Sequence, residues 1–121
     1  MKVYLAGGMR QEWRKQIIAA VEGVTFLDPT AHGLNSPEAY TFADLLAVKE
    51  CDLLVGYMEK DNPSGIGLAC EVGYARGLGK PVLLVNDQPN NRYFQFVAFC
   101  GAAVVPDIET VIKILQWDGI R

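Results

Sequence analysis

The sequence has little of what several common classes of protein depend on. It contains one histidine and three cysteines, and the cysteines (Cys51, Cys70 and Cys100) lie far apart, with no CxxC pair and no neighbouring histidine. Such a set forms neither a disulfide framework nor a zinc site, and is typical of reduced thiols in a cytosolic protein. Because no other metal-ligand spacing is present either, we expect no metal.

Long apolar runs and clusters of one charge are also missing. No stretch approaches the ~20 apolar residues of a membrane span, and the N-terminus lacks an apolar run of signal-peptide length. The formal charge is −3, without a basic run or stripe, whereas a nucleic-acid partner needs clustered lysine and arginine. We therefore expect a soluble cytoplasmic protein that binds neither nucleic acid nor membrane.

What the sequence does have is apolar material for a core, in alternating short and long segments. Half of the 121 residues are hydrophobic, which suits one domain. Short apolar or β-branched runs predict strands at Val3–Ala6, Val24–Leu27, Leu53–Tyr57, Val82–Val85 and Ala102–Val105. The stretches between them predict helices at Gln11–Val21, Pro37–Glu50, Gly67–Leu78, Tyr93–Cys100 and Ile108–Leu115.

Nearly continuous apolar strands separated by helices indicate a parallel sheet covered on both faces. We therefore predict a single flavodoxin/Rossmann-like α/β domain over residues 1–121, with five parallel strands most simply in the flavodoxin-like order. Ligands bind such sheets beyond the carboxyl ends of the strands. The loop segments expected to meet there are Gly7–Arg10, Asp28–Asn35, Met58–Gly67 and Asn86–Asn91.

Two acidic residues stand in apolar surroundings. Glu71 follows a polar, glycine-containing loop and lies early in a helix, among small and apolar neighbours. Its carboxylate is either aimed into a cleft or is a dipole partner of its own helix. Asp44 lies on an otherwise apolar helix face, where burial would suit it to general-acid work; the alternative is an exposed polar position.

Three motifs, in their order and spacing, resemble those of a known family. They are Tyr4-Leu-Ala-Gly-Gly8 on strand 1, Asp44 eight residues before Asp52, and Gly67-x-x-x-Glu71-x-Gly73-Tyr-Ala75 followed by Gly79-Lys-Pro. The pattern is similar to the nucleoside 2-deoxyribosyltransferase superfamily, which also holds the deoxynucleoside 5′-monophosphate N-glycosidases. The resemblance spans about residues 2–105, nearly the whole chain.

The resemblance implies a role for each of three residues. Glu71 matches the glutamate that attacks C1′ and forms a covalent deoxyribosyl-enzyme. Asp44 matches the acid that protonates or orients the departing base, and Tyr4 matches the tyrosine whose hydroxyl hydrogen-bonds the nucleophile and the sugar. The chemistry is that of a retaining glycosidase. It implies an enzyme that transfers 2-deoxyribose between nucleobases without a metal or organic cofactor.

Two other functions remain open at this stage. One is a hydrolase that releases the base from a deoxynucleoside 5′-monophosphate, which Arg10 and Ser64 favour. The other is a catalytically silent nucleotide-binding module. The acidic pair Glu71 and Asp44 argues against the second, because a site that only binds phosphorylated ligands gains nothing from two carboxylates.

The substrate-binding residues are less sharply indicated. Six residues before the nucleophile, where many transferases carry Asp and the monophosphate glycosidases carry Ser, this chain has Gly65. Either Asp61 or Ser64 substitutes, or the loop is shifted by one residue. Arg10 matches an arginine of the monophosphate glycosidases and, with Arg14, could reach a phosphate; otherwise it is a solvated side chain. The expected substrate-binding set is Gly7, Gly8, Met9, Arg10, Asp61, Ser64, Gly65, Gly67 and Gln95.

Two further segments bear on the substrate pocket and on assembly. His32 lies in the loop after strand 2, which borders the base pocket in this fold, although a lone loop histidine is usually solvated. The helix Tyr93–Cys100 is apolar on nearly every face, more than one sheet edge can cover. We therefore expect a homo-oligomer, a dimer or larger. The resemblance places this segment beside a neighbouring subunit's active site, which Tyr93 or Gln95 would complete.

Overall fold

The alternation of strands and helices runs the whole length of the computed structural model, which describes residues 1–120. The strands are β1 (Lys2–Gly7), β2 (Thr25–Leu27), β3 (Leu53–Met58), β4 (Val82–Asn86) and β5 (Ala103–Val105). The helices are α1 (Glu12–Ala20), α2 (Pro37–Glu50), α3 (Ile66–Gly77), α4 (Arg92–Ala98), α5 (Ile108–Gln116) and a short 3₁₀ helix, Asp118–Ile120. The predicted elements agree to within two residues at each end, but the 3₁₀ helix was not predicted. No helix in the described chain is long and apolar enough to span a bilayer.

The five strands form one parallel sheet in the order β2-β1-β3-β4-β5, which confirms the flavodoxin-like arrangement. β1 lies between β2 and β3, with Tyr4 opposite Leu27 on one side and Leu54 on the other. From β1 the chain therefore moves outward to β2 and then crosses back to β3. The reversal leaves a crevice at the carboxyl ends of β1 and β3, where ligands bind in such sheets.

Successive residues of β1 point to opposite faces of the sheet and so divide the core in two. Tyr4 and Ala6 pack with buried residues of α2, α3 and α4, whereas Val3 and Leu5 pack with buried residues of α1 and α5. All four side chains are fully buried. Because the strand is covered on both faces, its continuous apolar run follows directly from its central place in the sheet.

Among residues 1–120, Arg14 is the one charged side chain that the core encloses, at 0 % exposure. Its guanidinium lies 4.5 Å from the Trp13 ring centroid and 3.7 Å from the Asp28 carboxylate, and burial lowers its pKa. It donates to four backbone carbonyls at or just after the end of β1, those of Leu5, Gly7, Gly8 and Arg10, at 2.5–3.3 Å. Arg14 therefore shapes the β1 turn. The expectation that it could reach a phosphate is wrong, because its donors are already used inside the fold.

Candidate active site

A cavity of about 560 Å³ opens where the turn after β1, the loop after β2, α2 and α3 come together. Its lining residues are Gly7, Met9, Pro29, His32, Leu34, Tyr40, Thr41, Asp44, Leu45, Gly67, Leu68, Cys70 and Glu71. Three of the four predicted loop segments supply lining residues, and Asn86–Asn91 does not. Its Gln88 instead donates to the carbonyls of Glu59 and Asn62, at 2.7 and 2.8 Å, and so supports the loop before α3.

Tyr4 and Glu71 meet within this region. Tyr4 is fully buried on β1, and its hydroxyl donates a hydrogen bond to Oε2 of Glu71 in the second turn of α3. The carboxylate therefore faces the cleft and is not engaged in capping its own helix. Burial and the neighbouring carboxylate also raise the pKa of Tyr4, which keeps the phenol protonated as a donor.

The surroundings of Glu71 favour the protonated, uncharged form of its carboxyl group. Burial, the largest cause, and the charge of Asp44 raise the pKa of Glu71 to about 7, although the hydrogen bond from Tyr4 and the charge of Arg14 oppose the shift. A carboxylate that titrates near neutral pH in a cleft is a candidate for chemistry. When ionised, it has lost most of its water shell and is correspondingly nucleophilic.

Asp44 lies on α2 and lines the same cavity as Glu71. Its side chain is 22 % exposed, so it is not the exposed helix position that the sequence left open. Asp44 Oδ1 is 2.9 Å from Nε2 of His32, and Nδ1 of His32 accepts a hydrogen bond of 2.9 Å from the Leu34 amide. The loop histidine therefore lies in the cavity wall and contacts the predicted general acid.

The predicted substrate-binding residues divide into two groups. Gly7, Met9 and Gly67 line the cavity. Arg10 and Asp61 form an exposed ion pair with each other, and Arg10 borders a separate groove of about 430 Å³ that also contains Glu59. Of the described residues that line the main cavity, none is a lysine or an arginine.

Four more predicted substrate-binding residues do not line the cavity: Gly8, Ser64, Gly65 and Gln95. Each of them faces or hydrogen-bonds to another part of the protein instead. Gly8 faces Glu59 and Asn62, and the exposed Gln95 on α4 donates to the Pro89 carbonyl at 3.2 Å. The side-chain oxygen of Asn62 accepts hydrogen bonds from the amides of Ser64 and Gly65, at 3.2 and 3.1 Å. These contacts shape the loop before α3 and do not point its side chains at the cavity.

Gly65 departs from the family pattern for a steric reason. It is the N-cap of α3 with a φ of 67°, a conformation that side-chain-bearing residues rarely adopt. A Cβ at this position would lie 2.9 Å from the sulfur and terminal carbon of Met58. An aspartate or serine six residues before Glu71 would therefore be strained by this φ, and the end of the Met58 side chain would have to shift to admit its Cβ.

Sequence reasoning missed several lining residues on α2 and α3. Tyr40 and Thr41 lie one turn before Asp44 and Leu45, and Cys70 directly precedes Glu71. The detectable signal was helical spacing, since residues three or four positions from a site residue share its face. Within residues 1–120, no group of three or more His, Cys, Asp and Glu side chains is placed to hold a metal ion.

Comparison with known proteins gives three findings. The model of the family described as "Nucleoside 2-deoxyribosyltransferase like" matches residues 1–88, whereas no curated protein sequence matches the chain significantly. The structure of the Clostridium botulinum CMP N-glycosidase, BcmB, superposes with a TM-score of 0.69 at 23 % identity, covering 96 % of this chain and 98 % of that one. At this identity the likeness shows a shared fold. Because the family model covers most of the sequence, including Tyr4, Asp44 and Glu71, the chain belongs to the nucleoside 2-deoxyribosyltransferase-like family.

Proposed function

We propose that the protein cleaves the N-glycosidic bond of a 2′-deoxynucleoside, with Glu71 as nucleophile, and transfers the sugar to a second nucleobase. The observation that carries this proposal is the Tyr4–Glu71 hydrogen bond beside a cavity that Asp44 also lines. Family membership supports the same chemistry. A cleft with one nucleophilic carboxylate and a second acid is what retaining glycosyl transfer needs.

In the first half-reaction, an oxygen of ionised Glu71 forms a bond to C1′ as the bond from C1′ to the base nitrogen breaks. The electron pair of that bond goes to the base, which takes a proton from Asp44. Tyr4 orients Glu71 by donating to Oε2. In the second half-reaction a nitrogen of an incoming base attacks C1′, and the bond from C1′ to Glu71 breaks. The incoming base gives the proton of that nitrogen to Asp44, which restores both acids.

The lining of the cavity supports an uncharged substrate. Its described residues include Pro29, Leu34, Leu45 and Leu68, and no lysine or arginine. A flat nucleobase gains from burial against such apolar surface, whereas a phosphate dianion needs charged or well-aligned donors. A second base can occupy the same apolar surface after the first has left.

A second candidate is an N-glycosidase that acts on a nucleoside 5′-monophosphate. The specific observation in its favour is Arg10, which follows the lining residue Met9 in sequence. The Arg10 side chain forms an ion pair with Asp61, and both side chains are exposed. The fold shared with a CMP N-glycosidase points the same way. For this function Arg10 would have to exchange Asp61 for the phosphate.

One chromatographic experiment separates the two candidates. The protein is incubated with deoxynucleosides and with their 5′-monophosphates, each with and without a second free base. A new nucleoside that appears only when the second base is present supports transfer. Free base and sugar phosphate, formed from monophosphates alone, would establish the hydrolase instead. No cleavage of either substrate class would contradict both candidates.

The substitution Arg10→Ala tests the phosphate question directly. If Arg10 binds a 5′-phosphate, KM for monophosphates should rise about 10- to 100-fold, since a charge-assisted hydrogen bond contributes roughly 1.5–3 kcal/mol. Lys15→Ala is the matched control, because it removes the same charge from the exposed side of α1. Under the transferase proposal, steady-state kinetics on nucleosides should be the same for both variants and the wild type.

The pH dependence of kcat/KM should report the ionisation of Glu71. Because the pKa of Glu71 is raised to about 7 and the ionised form is the nucleophile, activity on a nucleoside whose base leaves without a proton should fall about tenfold per pH unit below that value. The hydrogen bond from Tyr4 lowers this pKa, so Tyr4→Phe should move the midpoint to higher pH. Tyr57→Phe, which removes a 2.6 Å hydrogen bond to Asp87 outside the cavity, should leave the midpoint in place. An unmoved midpoint in Tyr4→Phe would contradict the assignment.

We also propose that the protein assembles with copies of itself through α4. Phe94 and Ala98 of this helix are buried in the core, but Tyr93, Phe96 and Phe99 are 79–84 % exposed. Three aromatic side chains in water on one short segment form a surface that a partner would cover. A second copy presents the same aromatic surface and is the simplest partner.

The substitution Phe96→Asp should dissociate such an oligomer, because the interface would then bury a charge. Light scattering should show a smaller species, and activity should fall with it if the interface supports the site. Phe96→Leu keeps an apolar side chain and should preserve the assembly. A wild-type protein that is monomeric and fully active at micromolar concentration would rule out this proposal.

A further inference from the structure

His32 is the single histidine of the chain, and its two ring nitrogens have different partners. Nδ1 accepts the Leu34 amide hydrogen at 2.9 Å, so in the neutral ring Nδ1 carries no proton. The proton of the neutral ring therefore lies on Nε2, which is 2.9 Å from Oδ1 of Asp44. The backbone of the loop after β2 thus selects the tautomer, and that tautomer donates to Asp44.

This contact distinguishes the two oxygens of Asp44. Oδ1 accepts from His32, whereas Oδ2 has no hydrogen-bond partner within residues 1–120. Oδ2 is nevertheless not among the buried atoms that lack a partner, so it is accessible, and Asp44 is a lining residue of the cavity. When Asp44 is protonated, a hydrogen on Oδ1 would point at the Nε2 hydrogen, so the acidic proton belongs on Oδ2.

We propose that His32 is a positioning residue which, as the Nε2–H tautomer, holds Asp44 so that its acidic proton sits on Oδ2, facing the departing base. The proposal rests on the proposed cleavage of the N-glycosidic bond. The geometry behind it is the chain of contacts from the Leu34 amide to Nδ1 and from Nε2 to Oδ1.

The proton balance of the step follows from this arrangement. As the bond from C1′ to the base breaks, the base nitrogen takes the Oδ2 proton of Asp44, and Asp44 becomes a carboxylate. The hydrogen bond from Nε2 to Oδ1 is kept throughout, and it stabilises the new negative charge. His32 itself neither gains nor loses a proton: it positions Asp44, and Asp44 alone transfers the proton.

The first test is spectroscopic and needs no substrate. Because the chain has one histidine, ¹⁵N–¹H correlation spectra of its ring are unambiguous. We expect the Nε2–H tautomer in the neutral ring of the wild type and also of Asp44→Ala, because both proteins keep the Leu34 amide that donates to Nδ1. A wild-type ring with its proton on Nδ1, or an equal mixture of the two, would overturn the proposal whatever the enzyme's activity.

The second test uses two variants that each keep one half of the contact. The amide nitrogen of His32→Gln reaches about as far as Nε2 and can still donate to Asp44, whereas His32→Asn replaces only the Nδ1 end. We expect kcat on unactivated nucleosides to fall about 10- to 100-fold in His32→Asn, with KM little changed, and within about threefold of wild type in His32→Gln. Equal losses in the two variants would contradict the positioning role.

The choice of substrate separates this proposal from the proposed function. A 7-methylated purine deoxynucleoside releases its base without a proton, so His32→Asn should cleave it at nearly the wild-type rate. If the wild type cleaves neither this nor an unactivated nucleoside, the proposed function fails. If the wild type cleaves both and His32→Asn loses equally on both, the function stands and the role of His32 is wrong.

Discussion

Replacing Glu71 by Gln should abolish cleavage, with a fall in kcat of at least about 10⁴-fold, because Asp44 is the only other carboxylate among the described residues that line the cavity, and it serves as the proton donor. Asp44 is committed to His32, and Tyr4 is held protonated by burial. Product formation measured by chromatography checks the loss. The matched control is Glu59→Gln, since Glu59 has a pKa raised by burial but lies in the other groove. Substantial turnover by a folded Glu71→Gln protein would contradict the covalent mechanism.

The same substitution should make the protein more stable at alkaline pH. The pKa of Glu71 rises from 4.5 to about 7 on folding, so the native state binds the proton more tightly than the unfolded chain does. The free energy of unfolding therefore falls as pH rises from about 4.5 to about 7, by about 2 to 3 kcal/mol. Glu71→Gln removes that loss. Urea unfolding should show a much larger gain at pH 8 than at pH 5, and an equal gain at both would contradict the assignment.

The second large effect is expected at Asp44. Asp44→Asn keeps an oxygen that can accept from His32 but cannot supply a proton, so cleavage of nucleosides with unactivated bases should slow by about 10²- to 10⁴-fold. Rates measured across a series of bases of increasing acidity should converge with those of wild type as the base becomes a better leaving group. Thr41→Ser, a conservative change in the lining one turn earlier, serves as the control. An equal loss for every base would assign Asp44 to positioning of the sugar.

The fold could be predicted from the sequence because its signals are local. Each strand is a short apolar run, and three of the five α-helices begin after a capping side chain: Ser36, Asn91 and Asp107 accept from the amides of Ala39, Tyr93 and Thr110. The central position of β1 follows from the continuous burial of Val3–Ala6. A period of two or of 3.6 residues is visible without knowing what lies opposite.

The site could be predicted only where a motif fixed the position of a side chain on a strand or a helix. Tyr4, Asp44 and Glu71 all lie on such elements; Asp44 and Glu71 line one cavity, and Tyr4 donates a hydrogen bond to Glu71. Loop side chains depend on partners far away in sequence: Arg10 pairs with Asp61, 51 residues later. One sequence does not reveal such a pairing.

The burial of Arg14 was hidden for a different reason. An arginine near the start of a helix is normally solvated, and nothing local shows that four carbonyls will converge on it. His32 was undervalued in the same way, because its importance comes from Asp44 on another element. Both side chains owe their roles to tertiary contacts.

The tryptophan on α1 gives this protein a built-in optical reporter. Trp13 is 5 % exposed, its ring nitrogen has no hydrogen-bond partner within the described chain, and its ring lies 3.1 Å from where a Cβ on the cavity residue Gly7 would be. The other tryptophan, Trp117, is 63 % exposed on the far end of the chain. In a Trp117→Phe background, the emission wavelength and intensity therefore come from a single indole packed behind the β1 turn. Substrate entry can then be followed by stopped-flow fluorescence without a label.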